Sequence, residues 1–261
     1  MRFQSITFEK NGRLAIISLN RPNAMNAMDD TMLQELAECF ELLKNDGSIQ
    51  VLMLKGSGKV FSAGGDIKTM LGTGDDSIDM LQAMDTISRM IRAYYTLPMI
   101  TIAAVHGAAA GLGFSLALAS DIIIAEENSK LAMNFIGIGL IPDGGGHFFM
   151  KERVGVPKAK QLIWEGKTLD GPSAKSLGLI DQVAEKGTAV EQAVQLAQNL
   201  LHSPLAAMIE TKRILNGHKQ KELDEILALE AKGQQLMRQT SDHLEGIQAF
   251  IEKRDPHFEG K

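Results

Sequence analysis

Six-residue aliphatic runs, separated by helical patterns, constrain this chain more than any other feature. LAIISL at 14–19, QVLMLK at 50–55, ITIAAV at 100–105 and DIIIAE at 121–126 are rich in β-branched side chains and end in turn residues, the signature of short strands. LIDQVA at 179–184 is a fifth candidate. Between the first two runs, Leu33, Leu36, Ala37, Phe40 and Leu43 recur at three- and four-residue steps behind Asp29 and Asp30, which predicts a helix. Residues 78–96 and 157–166 predict two more. Strands separated by helices make an α/β core.

From about residue 189 the pattern changes. VEQAVQLAQNLLHSPLAAMIETKRILN and ELDEILALEAKGQQLMRQ read as helical, with no strand candidate. We therefore expect a core over 1–199 and a helical C-terminal region over 200–261. A chain of 261 residues is long enough for one large buried core with an appendage. Leu223, Ile226 and Leu229, with Leu236 and Met237, put apolar surface on the appendage, which has to be buried somewhere.

The net charge of −5 without a Lys/Arg block argues against a nucleic-acid partner and a basic membrane-binding patch. Cys39 is the only cysteine, so no internal disulfide forms and a reducing cytoplasm fits. It lies beside Phe40 in a helical pattern and reads as a packing residue. MRFQSITFEK has no apolar run of the signal-peptide kind. The apolar stretch near 97–119 is interrupted by Pro98, His106 and several glycines, so no clean membrane span is expected.

Four stretches carry candidate chemistry. NRPNAMNAM at 20–28 must turn at Pro22. FSAGGDIKTM at 61–70 has Gly64 and Gly65, which let backbone come close to a ligand. AVHGAAAGLGFSLALASD at 104–121 runs from a strand through glycines into a helix whose first N–H groups lack partners. GIGLIPDGGGHFF at 137–149 places one acid, Asp143, ahead of three glycines. Asp143 has two readings: a turn or helix-cap residue, or an acid/base in a dry pocket.

Other chemistries fit less well. Gly107, Gly111 and Gly113 resemble the dinucleotide fingerprint of short-chain dehydrogenases, but they lie mid-chain. Neither Tyr94 nor Tyr95 has a lysine four residues on. His106 and His147 lack the spacing of metal ligands, so no metal is expected. Ser115 is outside any G-x-S-x-G elbow and reads as a small packing residue.

Together, and in this order, the four stretches and the ending AFIEKRDPHF resemble the crotonase superfamily, the enoyl-CoA hydratases and isomerases, across essentially the whole chain. The resemblance implies a ββα spiral core, a C-terminal helical trimerisation region, and homotrimers or dimers of trimers. It implies an acyl-CoA thioester substrate of the kind met in fatty-acid metabolism. Coenzyme A would enter as part of that substrate, with no permanently bound cofactor. By position, the backbone N–H groups of Gly65 and Leu112 would form an oxyanion hole. Ala24, Met25, Ala63, Gly65, Asp66, Ile67, Phe250 and Lys253 would contact CoA, the last two reaching a neighbouring subunit's ligand. Lys68 could meet a CoA phosphate or be an ordinary exposed lysine. Asp66 otherwise reads as fixing its loop, and Asp121 as structural.

One departure matters. Hydratases of this family use two glutamates, and here their positions hold Ser115 and Phe135. Neither can activate water or protonate carbon. Some relatives instead place an aspartate where this chain has Asp143, among them the ring-1,2-epoxyphenylacetyl-CoA isomerases with their L-I-P-D-x-G-G turn. A double-bond shift needs a single acid/base. With Phe135 and Ile141 as a dry wall raising the Asp143 pKa, the expectation is an enoyl-CoA isomerase with Asp143 as its catalytic group. The alternatives are a hydratase or other acyl-CoA lyase, and an acyl-CoA-binding protein with little catalysis.

Overall fold

A computed structural model describes residues 3–66 and 76–261. Its principal sheet contains, in spatial order, β1 (Ile6–Asn11), β2 (Leu14–Leu19), β3 (Val51–Gly56), β4 (Ile100–Val105), β6 (Ile122–Glu126) and β8 (Gln182–Ala184). The first pair is antiparallel and the others are parallel. The helices are α1 (Asp30–Leu43), α2 (Asp76–Tyr95), α3 (Leu112–Leu118), α4 (Gly146–Glu165), α5 (Gly171–Ser176), α6 (Ala189–Leu201), α7 (Leu205–Met237) and α8 (Ser241–Glu252).

The aliphatic runs show no polar alternation because both faces of the sheet are covered. On one face Ala15, Ile17, Leu52, Leu54, Ala103 and Val105 pack with residues of α1 and α2. On the other, Leu14, Ile16, Val51, Met53, Ile100 and Ile102 meet Ala189, Ala193 and Ala197 of α6. Alanines at four-residue steps allow α6 to lie close to the strands. Asp29 caps α1 by accepting the Met32 N–H at 2.9 Å. Cys39 is buried within this core, and burial pushes its thiol up to about 12, as expected of a packing residue.

A second sheet arises because the chain repeats one path. After β4 it forms β5 (Ala108–Ala110), and after β6 it forms β7 (Lys130–Ala132), parallel to β5. After β3, Ser62 bridges to Ala109 on the same small sheet, and Met28 bridges to Gly65. Each circuit therefore adds to both sheets before a helix returns the chain, which is the ββα spiral.

Several elements differ from the sequence expectation. The hydrophobic pattern does not predict β1, because its outer half is exposed and polar, as an edge strand allows. The expected strand at 179–184 is confined to Gln182–Ala184. Ahead of it, Asp181 bonds to the sheet through its side chain, accepting the Ile123 N–H at 2.8 Å. The helix expected at 157–166 is the second half of α4, which follows a kink at Gly155 (φ 74°, ψ 160°) and has Pro157 in its first turn. The glycines at its start conceal the first half. The boundary drawn at 199/200 falls in the last turn of α6, and α7 begins at Leu205.

Lys212 pins α7 to the end of the sheet. Its buried Nζ donates to Asp121 Oδ2 at 2.7 Å and to the Met99 carbonyl at 2.8 Å. Asp121 also accepts the Thr101 N–H and hydroxyl at 2.8 and 2.9 Å. Such a buried pair specifies register more than it adds stability. Asp121 is thus structural, as read. Among the described residues no helix is long and apolar enough to cross a membrane.

Candidate active site

The glycine turn is built against the first turn of α3. Gly144 has φ +62°, and a Cβ there would lie 2.4 Å from Leu112 Cδ1, so only glycine fits. The buried Ser115 hydroxyl donates to the Asp143 carbonyl at 2.8 Å, and the Gly146 N–H donates to the same oxygen at 3.0 Å. Ser115 therefore holds the backbone of Asp143. Its surroundings are full: a Cβ on Gly146 would sit 2.9 Å from Ser115 Oγ, and one on Gly144 would sit 3.3 Å from Ser115 Cβ.

The Asp143 carboxylate does not cap the helix it precedes. The N-cap of α4 is Gly145, which has no side chain to cap with. Glu230, two turns before the end of α7, accepts the Gly145 N–H at 2.7 Å, the His147 N–H at 3.0 Å and His147 Nδ1–H at 2.8 Å. This removes the cap reading of Asp143. Its side chain is 7% exposed. Oδ2 lies 3.5 Å from Gln234 Nε2, and Oδ1 has no hydrogen-bond partner among the described residues. Burial, and then the negative charge of Glu230, push its pKa from 3.8 up to about 8, with Arg238 pulling back.

The expected apolar wall is partly as foreseen. Phe135 is buried, and its ring lies 3.6 Å from where a Gly111 Cβ would be. Ile141 packs on α7 at Gly233 instead, and its carbonyl accepts Gln234 Nε2–H at 2.6 Å. His243 of α8 donates through Nδ1 to the Ile138 carbonyl at 2.8 Å, which seats α8 on the single turn Phe135–Ile138. The chain's own α7 thus packs against Asp143, and α8 packs against the turn ahead of it.

Sequence reasoning missed Glu230 and Gln234. A signal existed, because Leu223, Leu227, Glu230 and Gln234 are the buried positions along one face of α7. Two polar residues continuing an apolar stripe are expected to meet a polar target.

The other candidate residues gather beside α3. Gly64 has φ +98°, and a Cβ there would lie 2.7 Å from the Ala110 carbonyl oxygen and 3.5 Å from Leu112 N. The two backbones are therefore in close approach. The Met28–Gly65 bridge uses Met28 N–H to Gly64 O at 2.8 Å and Asp66 N–H to Met28 O at 3.0 Å, which passes over the Gly65 N–H. Leu112 is the first residue of α3, where no carbonyl of the preceding turn is available.

Met25 accepts the Ala63 N–H at 3.0 Å and is exposed, and Ala24 ends the turn Pro22–Ala24 beside it. Buried Asn26 donates to the Ser57 and Val60 carbonyls at 2.8 and 2.9 Å, holding this loop on the next. Arg21 pairs with Asp66 at 3.0 Å and Asp29 at 3.2 Å, which is the loop-fixing role read for Asp66. Ala24, Met25, Ala63, Gly65 and Asp66 are thus brought together. Phe250 is exposed near the end of α8, and Lys253 follows it at φ +56°. Among the described residues, no hydrogen bond or ion pair ties either of them to the cluster. Ile67 and Lys68 lie outside the described residues. Among the described residues no group of three or more His, Cys, Asp or Glu could hold a metal.

The sequence matches the family described as Enoyl-CoA hydratase/isomerase over residues 9–261. This chain belongs to the enoyl-CoA hydratase/isomerase family. The Bacillus subtilis protein YhaR, named as an enoyl-CoA hydratase/isomerase, is 49% identical over 97% of this chain and 98% of its own length. The 1,2-epoxyphenylacetyl-CoA isomerase of Escherichia coli is 35% identical over 94% of each chain. The crystal structure of an enoyl-CoA hydratase from Mycobacterium avium subsp. paratuberculosis superimposes with a TM-score of 0.89 at 29% identity, covering 99% of this chain and 100% of the other. Within this family the fold is the crotonase fold, and relatives carry hydratase as well as isomerase names.

Proposed function

We propose that this family member is an acyl-CoA double-bond isomerase in which Asp143 moves the proton. The carrying observation is a buried carboxylate with one oxygen unpaired among the described residues, together with Ser115 and Phe135 where a hydratase would hold its glutamates. Asp143 as carboxylate takes a proton from the α-carbon of a 3-enoyl thioester. The C–H electron pair moves into a dienolate whose negative charge rests on the thioester oxygen. The backbone N–H groups of Gly65 and Leu112 receive that charge; losing one such donor typically costs ~3–4 kcal/mol of barrier lowering. Asp143 then returns the proton to the γ-carbon, and the product is the 2-enoyl thioester. Ala24, Met25, Ala63, Asp66 and Ile67 would line the CoA approach, in the cytoplasm.

A small acyl-CoA panel tests this. Isomerisation of 3-enoyl-CoA is expected to exceed hydration of 2-enoyl-CoA by a wide margin. Hydration at rates typical of dedicated hydratases would favour a lyase, and binding without turnover a carrier role. Ser115→Glu is not expected to create hydration, because the longer side chain has no room beside Gly144 and Gly146. A lowered melting temperature is expected instead, in line with the ~1–3 kcal/mol typical of overpacking.

For assembly, the reading is a trimer or dimer of trimers. Leu229, Leu236, Leu244, Phe250 and Ile251 are exposed on α7 and α8, and contact between subunits would cover them, bringing Phe250 and Lys253 toward a neighbour's CoA. Light scattering at micromolar concentration should give a trimer or hexamer. A monomer there would reject the assembly.

A further inference from the structure

Beyond the residues that would touch substrate, α7 contributes a polar ladder to the carboxylate turn. Glu230, Gln234 and Arg238 follow at four-residue steps, so they lie along one helix face. Glu230 is 2% exposed and Gln234 1%. Glu230 closes three N–H bonds on Gly145 and His147, which makes the glycine turn rigid from outside. Gln234 spans the Ile141 carbonyl and Asp143 Oδ2 with one amide nitrogen, and its own Oε1 has no partner among the described residues. A buried amide oriented by a backbone carbonyl two residues ahead of an acid, and aimed at one oxygen of that acid, is a costly arrangement unless the acid has work to do.

We propose that Glu230 and Gln234 are positioning residues for Asp143, Glu230 by clamping the glycine turn and Gln234 by holding Oδ2, so that Oδ1 is the atom that carries the proton. This rests on the acid/base reading of Asp143. The α C–H bond breaks as an Oδ1–H bond forms, and the electron pair is delocalised to the thioester oxygen. Oδ1–H then breaks as the γ C–H bond forms, and the double bond has moved with no net proton or electron exchanged. Gln234 Nε2–H stabilises the ionised carboxylate, and the 3.5 Å contact tightens when the charge is present. Glu230 acts in the opposite sense, as a like charge beside it.

Among the described residues, the ionisable groups facing this turn are Glu230 of α7, Arg238 just past its end and His147 of α4, with His243 of α8 on the Ile138 carbonyl ahead of it. The α3 side brings Leu112 and Ser115, and α2 brings Ile87, none of them charged.

Two variants give opposite signatures in the pH dependence of kcat/KM on a 3-enoyl-CoA. Glu230→Gln removes the like charge, and the acidic limb should move to lower pH. Gln234→Met keeps length but removes the donor; the limb should move to higher pH, and kcat should fall roughly 10- to 100-fold, the loss of a hydrogen bond to a charged group, with KM little changed. A purely structural role would lower the melting temperature and scale activity with folded fraction, leaving the Gln234→Met limb and its kcat per folded molecule where the parent has them, and that result overturns the proposal. Should Glu230→Gln fail to fold, the Gln234→Met profile decides alone. The parent reading fails separately: folded Asp143→Asn with full turnover removes the acid/base itself, whereas an inactive Asp143→Asn with unmoved limbs in the other two removes only the positioning roles.

Discussion

Asp143→Asn is expected to lower turnover of a 3-enoyl-CoA by roughly 10²–10⁴-fold, the range that a positioned acid/base contributes, while acyl-CoA affinity changes little. Its stability should move the other way. In the fold the carboxyl group's pKa is raised from 3.8 to about 8. Between those values the folded state keeps a proton that the unfolded chain has released, so the group's favourable contribution is complete below pH ~4 and is lost as pH rises through ~8. Every tenfold gain in proton affinity on folding is worth ~1.4 kcal/mol, so the total lost is several kcal/mol. Asparagine does not titrate, and the variant's melting temperature should therefore gain on the parent's between about pH 5 and pH 8. A cap residue would behave oppositely, losing about 1 kcal/mol on replacement. The raised pKa also requires the parent's kcat/KM to climb with pH up to about 8, since the base must be ionised. Full activity in the folded variant, or a melting difference that does not change with pH, would count against the mechanism.

Gly64→Ala should have the next largest effect. The residue sits at φ +98°, and the new Cβ would press on the Ala110 carbonyl oxygen at 2.7 Å. Relief requires the 63–66 loop to withdraw from α3, which carries the Gly65 N–H away from the Leu112 N–H. Turnover should fall by roughly 10²–10³-fold, as when one oxyanion donor is removed. Gly12→Ala is the control, because Gly12 has φ +63° with nothing within 4 Å of the added Cβ. It carries the backbone strain without the displacement, and should cost stability alone. Parental turnover in a folded Gly64→Ala protein would separate the loop from oxyanion stabilisation.

The motif positions illustrate how far local pattern reaches. NRPNAMNAM, the described FSAGGD part of the second stretch and the glycine-rich entry to α3 converge in space because each follows one strand of a parallel set, and parallel strands place their following turns at the same edge. The aliphatic runs also announce their strands, since a sheet covered on both faces requires unbroken apolar sequence. β1 escapes notice because an edge strand needs no such run, and the first half of α4 because its opening residues are glycines chosen for close approach rather than for helix.

Asp143 marks the limit. Its identity, its place before three glycines and the absence of glutamate at Ser115 and Phe135 are all legible in the sequence, because they are properties of single positions in a recognisable turn. Whether it caps a helix or stays buried without a cap bond is decided elsewhere. Glu230 takes the N–H groups that an aspartate would otherwise cap, from 85 residues away along the chain. Gln234 and the packing of α7 against the turn then leave the carboxyl buried, with Oδ1 unpaired among the described residues. Turn propensity and helical periodicity act over a few residues, whereas desolvation and the field of a second carboxylate depend on which distant segment packs there, and only the tertiary structure determines that.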